Sequence, residues 1–159
     1  MRIGVAVREV HRSESGLAGE LRRMADRYRD EVEIHHVAQD LARWSDEHVR
    51  ELAAAAARHG EHVEGADGSP REAFGPAPDG GGLLGAGSDP GLALLADLRR
   101  LYLAAAGVSV DWELLGQGAQ AVKDADLLAL CGRCHPQTLR QMSWANGQLK
   151  VLSPQVWAR

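Results

Sequence analysis

Both cysteines of the chain fall within five residues, CGRCH, from Cys131 to His135. Two thiols three residues apart, with an imidazole after the second, is the spacing at which c-type haem is attached. There the thiols form thioethers and the histidine binds iron. The same three side chains are also zinc ligands, and His48 on another segment is the natural fourth. A second pattern, Glu33-x-x-His36, is one part of the di-iron centre that helical bundles carry, and Glu20 and Glu113 are carboxylates that other segments offer it. In such a centre hard carboxylates bridge and neutralise two iron ions, while a neutral imidazole completes each.

Neither pattern is complete. Haem attachment belongs to exported proteins, and the N-terminal MRIGVAVREVHR has only a short apolar patch, broken at Arg8, with no secretory h-region. The expectation is a cytoplasmic protein with reduced thiols. Zinc lacks a second cysteine pair. The di-iron pattern fails where a second Glu-x-x-His is needed, because Gly132 stands three residues before His135. The reading favoured here is therefore no cofactor. The alternatives are iron through Glu33, His36 and Glu113, or zinc through Cys131, Cys134 and His135.

His48 and His135 invite a further reading without metal. Both fall on apolar stripes, where an imidazole needs a hydrogen-bond partner or carries a desolvation cost. Neighbours inside a packed core satisfy that need. A cavity walled by Trp44 and Trp112 would instead make His48, His135 and Glu113 a small-ligand site with acid–base potential.

The elements that position these residues are helices. Leu17, Leu21, Met24 and Tyr28 have helical periodicity, which predicts a first helix over about 13–28. A second runs over 31–58 along Ile34, Val37, Leu41, Trp44, His48, Leu52 and Ala55, from a capping-box-like Asp30/Glu33 start to Gly60. Asp89–Pro90 opens a third, over 90–123, that carries Leu94, Leu98, Leu101, Ala105, Val108, Trp112, Leu115 and Ala119. Gly107, Gly116 and Gly118 are expected to weaken or bend it. After a turn at Lys123–Asp124, a fourth over 125–152 carries Leu127, Cys131, His135, Thr138, Met142 and Ala145, with a kink or fresh start expected at Pro136. Between the two pairs, residues 60–88 are rich in Gly and Pro and read as an irregular connection. The formal GxGxxG at Gly80, Gly82 and Gly85 has no strand before it, so no dinucleotide site is expected.

Two short turns on either side of one long connection predict a single all-α domain, 1–159. It is a four-helix bundle with ferritin-like topology, in which a long crossover joins helices that run parallel. An antiparallel bundle with an inserted loop is the alternative. The stretches LLADLRRLYLAAA, WELLGQGAQAVKD and CHPQTLRQMSWA, with RYRDEVEIHH and LARWSDEHVREL in the first half, resemble uncharacterised actinobacterial ferritin-like helical proteins. That resemblance implies the fold and says little about activity.

Composition narrows the function. A net charge of −4 gives no basic field for nucleic acid. No run approaches the roughly 20 apolar residues of a membrane span. No Ser-His-Asp order, nucleophile elbow or phosphate loop is present. Arg22, Arg23, Arg27 and Arg29, interleaved with Asp26 and Asp30, read as a paired, solvated helix face. The expectation is a binding or interaction module, more a binder than an enzyme. Self-association, as a homodimer for example, would use surplus Ala and Leu such as Ala53–Ala57. The metal and small-ligand readings stay open beside it.

Overall fold

A computed structural model describes residues 2–63 and 89–159. These residues form four α-helices: α1 (Ile3–Arg27), α2 (Val32–Arg58), α3 (Pro90–Ala121) and α4 (Ala125–Trp157), with no strand among the described residues. The Gly/Pro-rich residues 64–88, including the formal GxGxxG, lie outside them.

Each helix end has a local cause. Asp89 caps α3 by accepting from Leu92 N at 3.0 Å, with Pro90 in the first turn. Asp124 caps α4 in the same way through Leu127 N, after Lys123 takes a positive φ of 59° to close the turn. Gly60, at φ 75°, ends α2, with Gly60 N donating to Ala57 O and Glu61 N to Ala56 O. That pair of bonds is a Schellman motif, and the left-handed residue within it suits glycine. The expected capping box does not form: Glu31 is the N-cap, without a side-chain bond, and Glu33 accepts from Gln148 instead.

Three expectations need correction. The first helix starts at Ile3, not near residue 13, because Ile3, Val7 and Val10 extend the apolar face by more than two turns. Pro136 neither breaks nor restarts α4, which continues to Trp157. Pro136 and Gly132, whose carbonyl loses its helical donor, are both exposed, so water can replace that bond. The glycines of α3 do not interrupt it either. Gly118 instead allows α1 to approach: a Cβ there would lie 2.8 Å from Ile3 Cδ1.

Contacts give the arrangement. Tyr28 meets Asp97, Glu14 meets Trp112 and Ile3 meets Gly118, so α1 and α3 run antiparallel. Arg22–Asp46 and Arg8–Glu61 set α2 antiparallel to α1. Ser109–His135 and Gly91–Val156 do the same for α3 and α4. The diagonal helices α2 and α3 therefore share a direction, and the chain leaves α2 at one end of the bundle and enters α3 at the other. The α2–α4 border is much thinner than the other three.

The core is aliphatic at both ends, with Leu21, Leu98 and Leu101 towards one and Leu52, Leu115 and Leu127 towards the other, all fully buried. Each such leucine contributes about 1.5–3 kcal/mol through burial. Between them the interior turns polar.

Candidate functional site: a charged layer inside the bundle

The spacing Val7, Val10, Glu14, Leu17, Leu21 puts a carboxylate on the buried face of α1. Glu14 is 0 % exposed and His48, from α2, is 1 % exposed. His48 Nδ1 lies 2.9 Å from Glu14 Oε1, and its Nε2 lies 2.6 Å from Gln137 Oε1 on α4. Both ring nitrogens thus face acceptor oxygens, so the imidazole that donates to both is the charged one. Glu14 Oε1 also accepts from Trp112 Nε1 of α3 at 2.9 Å and from Thr138 Oγ1 of α4 at 3.4 Å. The Trp112 ring stands edge-on to His48, with centroids 5.9 Å apart. All four helices meet on this one carboxylate–imidazole pair. Its other carboxylate oxygen, Glu14 Oε2, is buried with no hydrogen-bond partner.

Burial opposes the charge on His48, but the Cys134 sulfur and the Glu14 carboxylate outweigh it and raise the pKa from 6.5 to about 10. Burial also pushes the Cys134 thiol up, against the pull of the adjacent His48. Cys131 is pushed up to about 11, first by burial and then by Cys134. Both thiols are buried, and at Cys134 that burial outweighs the pull of the neighbouring His48, so neither has the accessible, activated setting of a reactive cysteine.

The residues singled out by spacing divide into several groups. His48 and Trp112 come together at Glu14, and Trp44 is half-buried one turn before His48. His135 turns away from them to α3, where its Nε2 is 2.8 Å from Ser109 Oγ. Glu113 is exposed, although its neighbour Trp112 is fully buried. Glu33 and His36 are exposed in the first turns of α2. Cys131 and Cys134 are free and buried, and the Cys134 thiol donates to Glu51 at 3.6 Å. Cys134 faces α2 whereas His135 faces α3, so CGRCH splits over two borders. Among the described residues no three His, Cys, Asp or Glu side chains converge as a metal site. Glu20 is buried, with its carboxylate held by Arg100 at 3.0 Å and by Arg23.

Glu14 falls inside the expected first helix but ahead of its apolar stripe, which opens at Leu17, and Gln137 and Gln141 lie off the expected α4 stripe through His135 and Met142. The buried face of α4 in fact runs through Leu130, Cys134, Thr138 and Gln141. Gln141 Nε2 donates to Leu41 O and Ser45 Oγ, each at 3.0 Å, while its Oε1 is unpartnered. Of the four arginines near the end of α1, only Arg29, in the turn after it, pairs with Asp26 as expected; Arg23 pairs with buried Glu20, Arg27 with Asp97 of α3 and Arg22 with Asp46 of α2.

No family model, curated protein or solved structure matches this chain.

Two outcomes follow for the pair. Glu14→Leu strands a buried imidazolium and lowers stability by about 3–5 kcal/mol in urea unfolding. Adding His48→Leu recovers only part of that loss, since Trp112 and Gln137 remain without partners. The pH dependence has a defined sign. Below pH 6.5 folded and unfolded chains both bind the His48 proton, and the stabilisation is full. Above it the unfolded chain releases the proton while the folded one keeps it to about pH 10, so stability falls as pH rises. Between pH 6.5 and 8.5, before the thiols titrate, the loss is about 2 kcal/mol. The urea midpoint of a His48→Gln variant stays level over that range. An equally steep fall in that variant assigns the dependence to another group.

Proposed function

We propose that this protein is a ferritin-like four-helix bundle that acts as a binding module, holding a small polar ligand at the Glu14–His48 layer rather than a di-iron centre. The single observation that carries this reading is the fully buried carboxylate oxygen Glu14 Oε2, which lacks a partner although four helices supply its surroundings. An unsatisfied buried acceptor costs about 1–3 kcal/mol, and a bound donor removes that cost. Sites in helical bundles are built this way, from side chains on facing helices. The shared direction of α2 and α3 supports the ferritin-like topology, with the residues between them as the long crossover.

The chemistry on offer is binding and charge compensation. His48 is committed to Glu14 and Gln137, and the neighbouring thiol is neutral, so the layer offers no free base or nucleophile at pH 7. The iron and zinc readings are weaker, because Glu33, His36 and Glu113 are exposed and CGRCH divides between two borders.

A thermal-shift screen of small polar metabolites tests the proposal. A ligand at a hundredfold excess over its Kd adds about 2.7 kcal/mol, which raises Tm by several degrees for a chain of this size. Glu14→Gln abolishes that shift. Near-stoichiometric iron or zinc in tag-free protein would replace this reading with the metal one.

Self-association is a second reading, favoured by a stripe on α3. Leu103, Val110 and Leu114 are 43, 53 and 64 % exposed, and their spacing puts them on one face. The Ala53–Ala57 run is a poorer candidate, since Ala55 and Ala56 are buried in the core. In light scattering the wild type has the mass of a dimer and Leu114→Glu that of a monomer. A wild-type monomer mass overturns this reading alone.

A further inference from the structure

The outward face of α3 differs from that of α2. On α2 the exposed positions include Asp40, Arg43, Glu47 and Arg50. On α3 the run LYLAAAGVSV, Leu101–Val110, has no charged residue, although Leu103 and Val110 are exposed and Gly107 is only half-buried. At about 100° per residue, Leu103, Val110 and Leu114 point directly away from the core positions Leu101, Val108 and Trp112. A helix that is apolar on both sides belongs to an interior, and here the second side faces solvent. Charges bound the stripe. Arg99 stands at one end and Glu113 at the other, on the same flank. Both are exposed, and neither pairs with another side chain among the described residues.

We propose that this face pairs with the same face of a second copy, antiparallel, about a two-fold axis that passes between Ala106 and Gly107. The proposal rests on the reading of α3 as a self-association face and adds the direction and register of pairing. In a two-fold contact, if one residue meets another, the second meets the first, so every pair occurs twice. From this centre Leu103 and Val110 are equally distant in opposite directions, so each is level with the other on the second copy. Leu114 is level with Arg99 in the same way and packs on its methylene stem. The charges, taken alone, select nearly the same register. Arg99 and Glu113 of the second copy come level to within one residue, about 1.5 Å, and the axis keeps their shared flank together. Parallel pairing would instead set Arg99 against Arg99 and Glu113 against Glu113. At the axis, Ala106 and Gly107 are small enough for the helices to approach towards the lower end of the usual 8–10 Å. Because α2 is diagonal to α3, it stays away from the partner.

The test reads mass by light scattering, and disulfide trapping, on the full chain. Arg99→Glu brings like charges together at two places and weakens the dimer about tenfold or more, and Glu113→Arg does the same. The double variant Arg99→Glu/Glu113→Arg reverses both pairs and dimerises as the wild type does. These positions are exposed, and an unchanged far-UV circular dichroism spectrum checks that the fold is kept. Under mild oxidation Leu103→Cys/Val110→Cys forms a covalent dimer. Neither single substitution does, since each residue is about 10 Å along the helix from its own copy. The wild type, whose cysteines are buried, serves as the blank. Covalent dimers from the single cysteine variants overturn the proposal, as do single charge variants that dimerise normally. So does a double charge variant that remains monomeric. If Leu114→Glu still disrupts the dimer in those cases, self-association through α3 stands and only this arrangement falls. A wild-type monomer, or a dimer that survives Leu114→Glu, removes both.

Discussion

A buried carboxylate cannot be left alone in a hydrocarbon core, and the middle of this bundle is organised by that constraint. Glu14 needs a positive partner and several donors at once, and no single helix can supply them. His48 brings the charge, Trp112 an indole N–H and Thr138 a hydroxyl, from three different helices. Removing a carboxylate and an imidazolium from water costs several kcal/mol each, which their mutual attraction offsets only when the remaining bonds are made. The pair therefore dictates register. A helix displaced by one turn would leave the charge unmatched, whereas leucines at the two ends of the core tolerate such slips better.

The same constraint separates the two halves of CGRCH. Cys134 lies beside His48 on the α2 side, while His135 points to Ser109 on α3. On a continuous helix, adjacent residues diverge by about 100°, so a five-residue motif is not a five-residue site. The glutamates that looked available for iron have different partners for equally local reasons. Glu20 sits between Arg100 and Arg23, and Glu33 reaches Gln148.

How much of this could be read beforehand depended on the kind of signal. Asp89–Pro90, Lys123–Asp124 and Gly60 announced three helix ends, because capping and positive φ are local chemistry that residue type controls. The all-α class followed from apolar periodicity in each segment. The start of α1 was missed because His11 and Glu14 occupy buried positions and interrupt the stripe that joins Val10 to Leu17. Glu14 itself lies within the expected helix, but a carboxylate ahead of the stripe that opens at Leu17 reads as surface. His48 and Trp112 were found because they stand on apolar stripes, but their partners were not, since a glutamine reads as surface until the facing helix is known. Pro136 misled for the opposite reason: on an exposed helix face, water supplies what the ring removes.

Gly118 has a consequence for how the two hairpins relate. Without a side chain there, Ile3 of α1 rests directly against the α3 backbone, and these two helices lie close along their length. The opposite border is a sparse ladder of polar rungs. The molecule is bound like a book, with its spine along α1 and α3 and its fore-edge between α2 and α4. Thermal motion that parts the covers leaves the spine intact and gives the central charges a brief view of solvent.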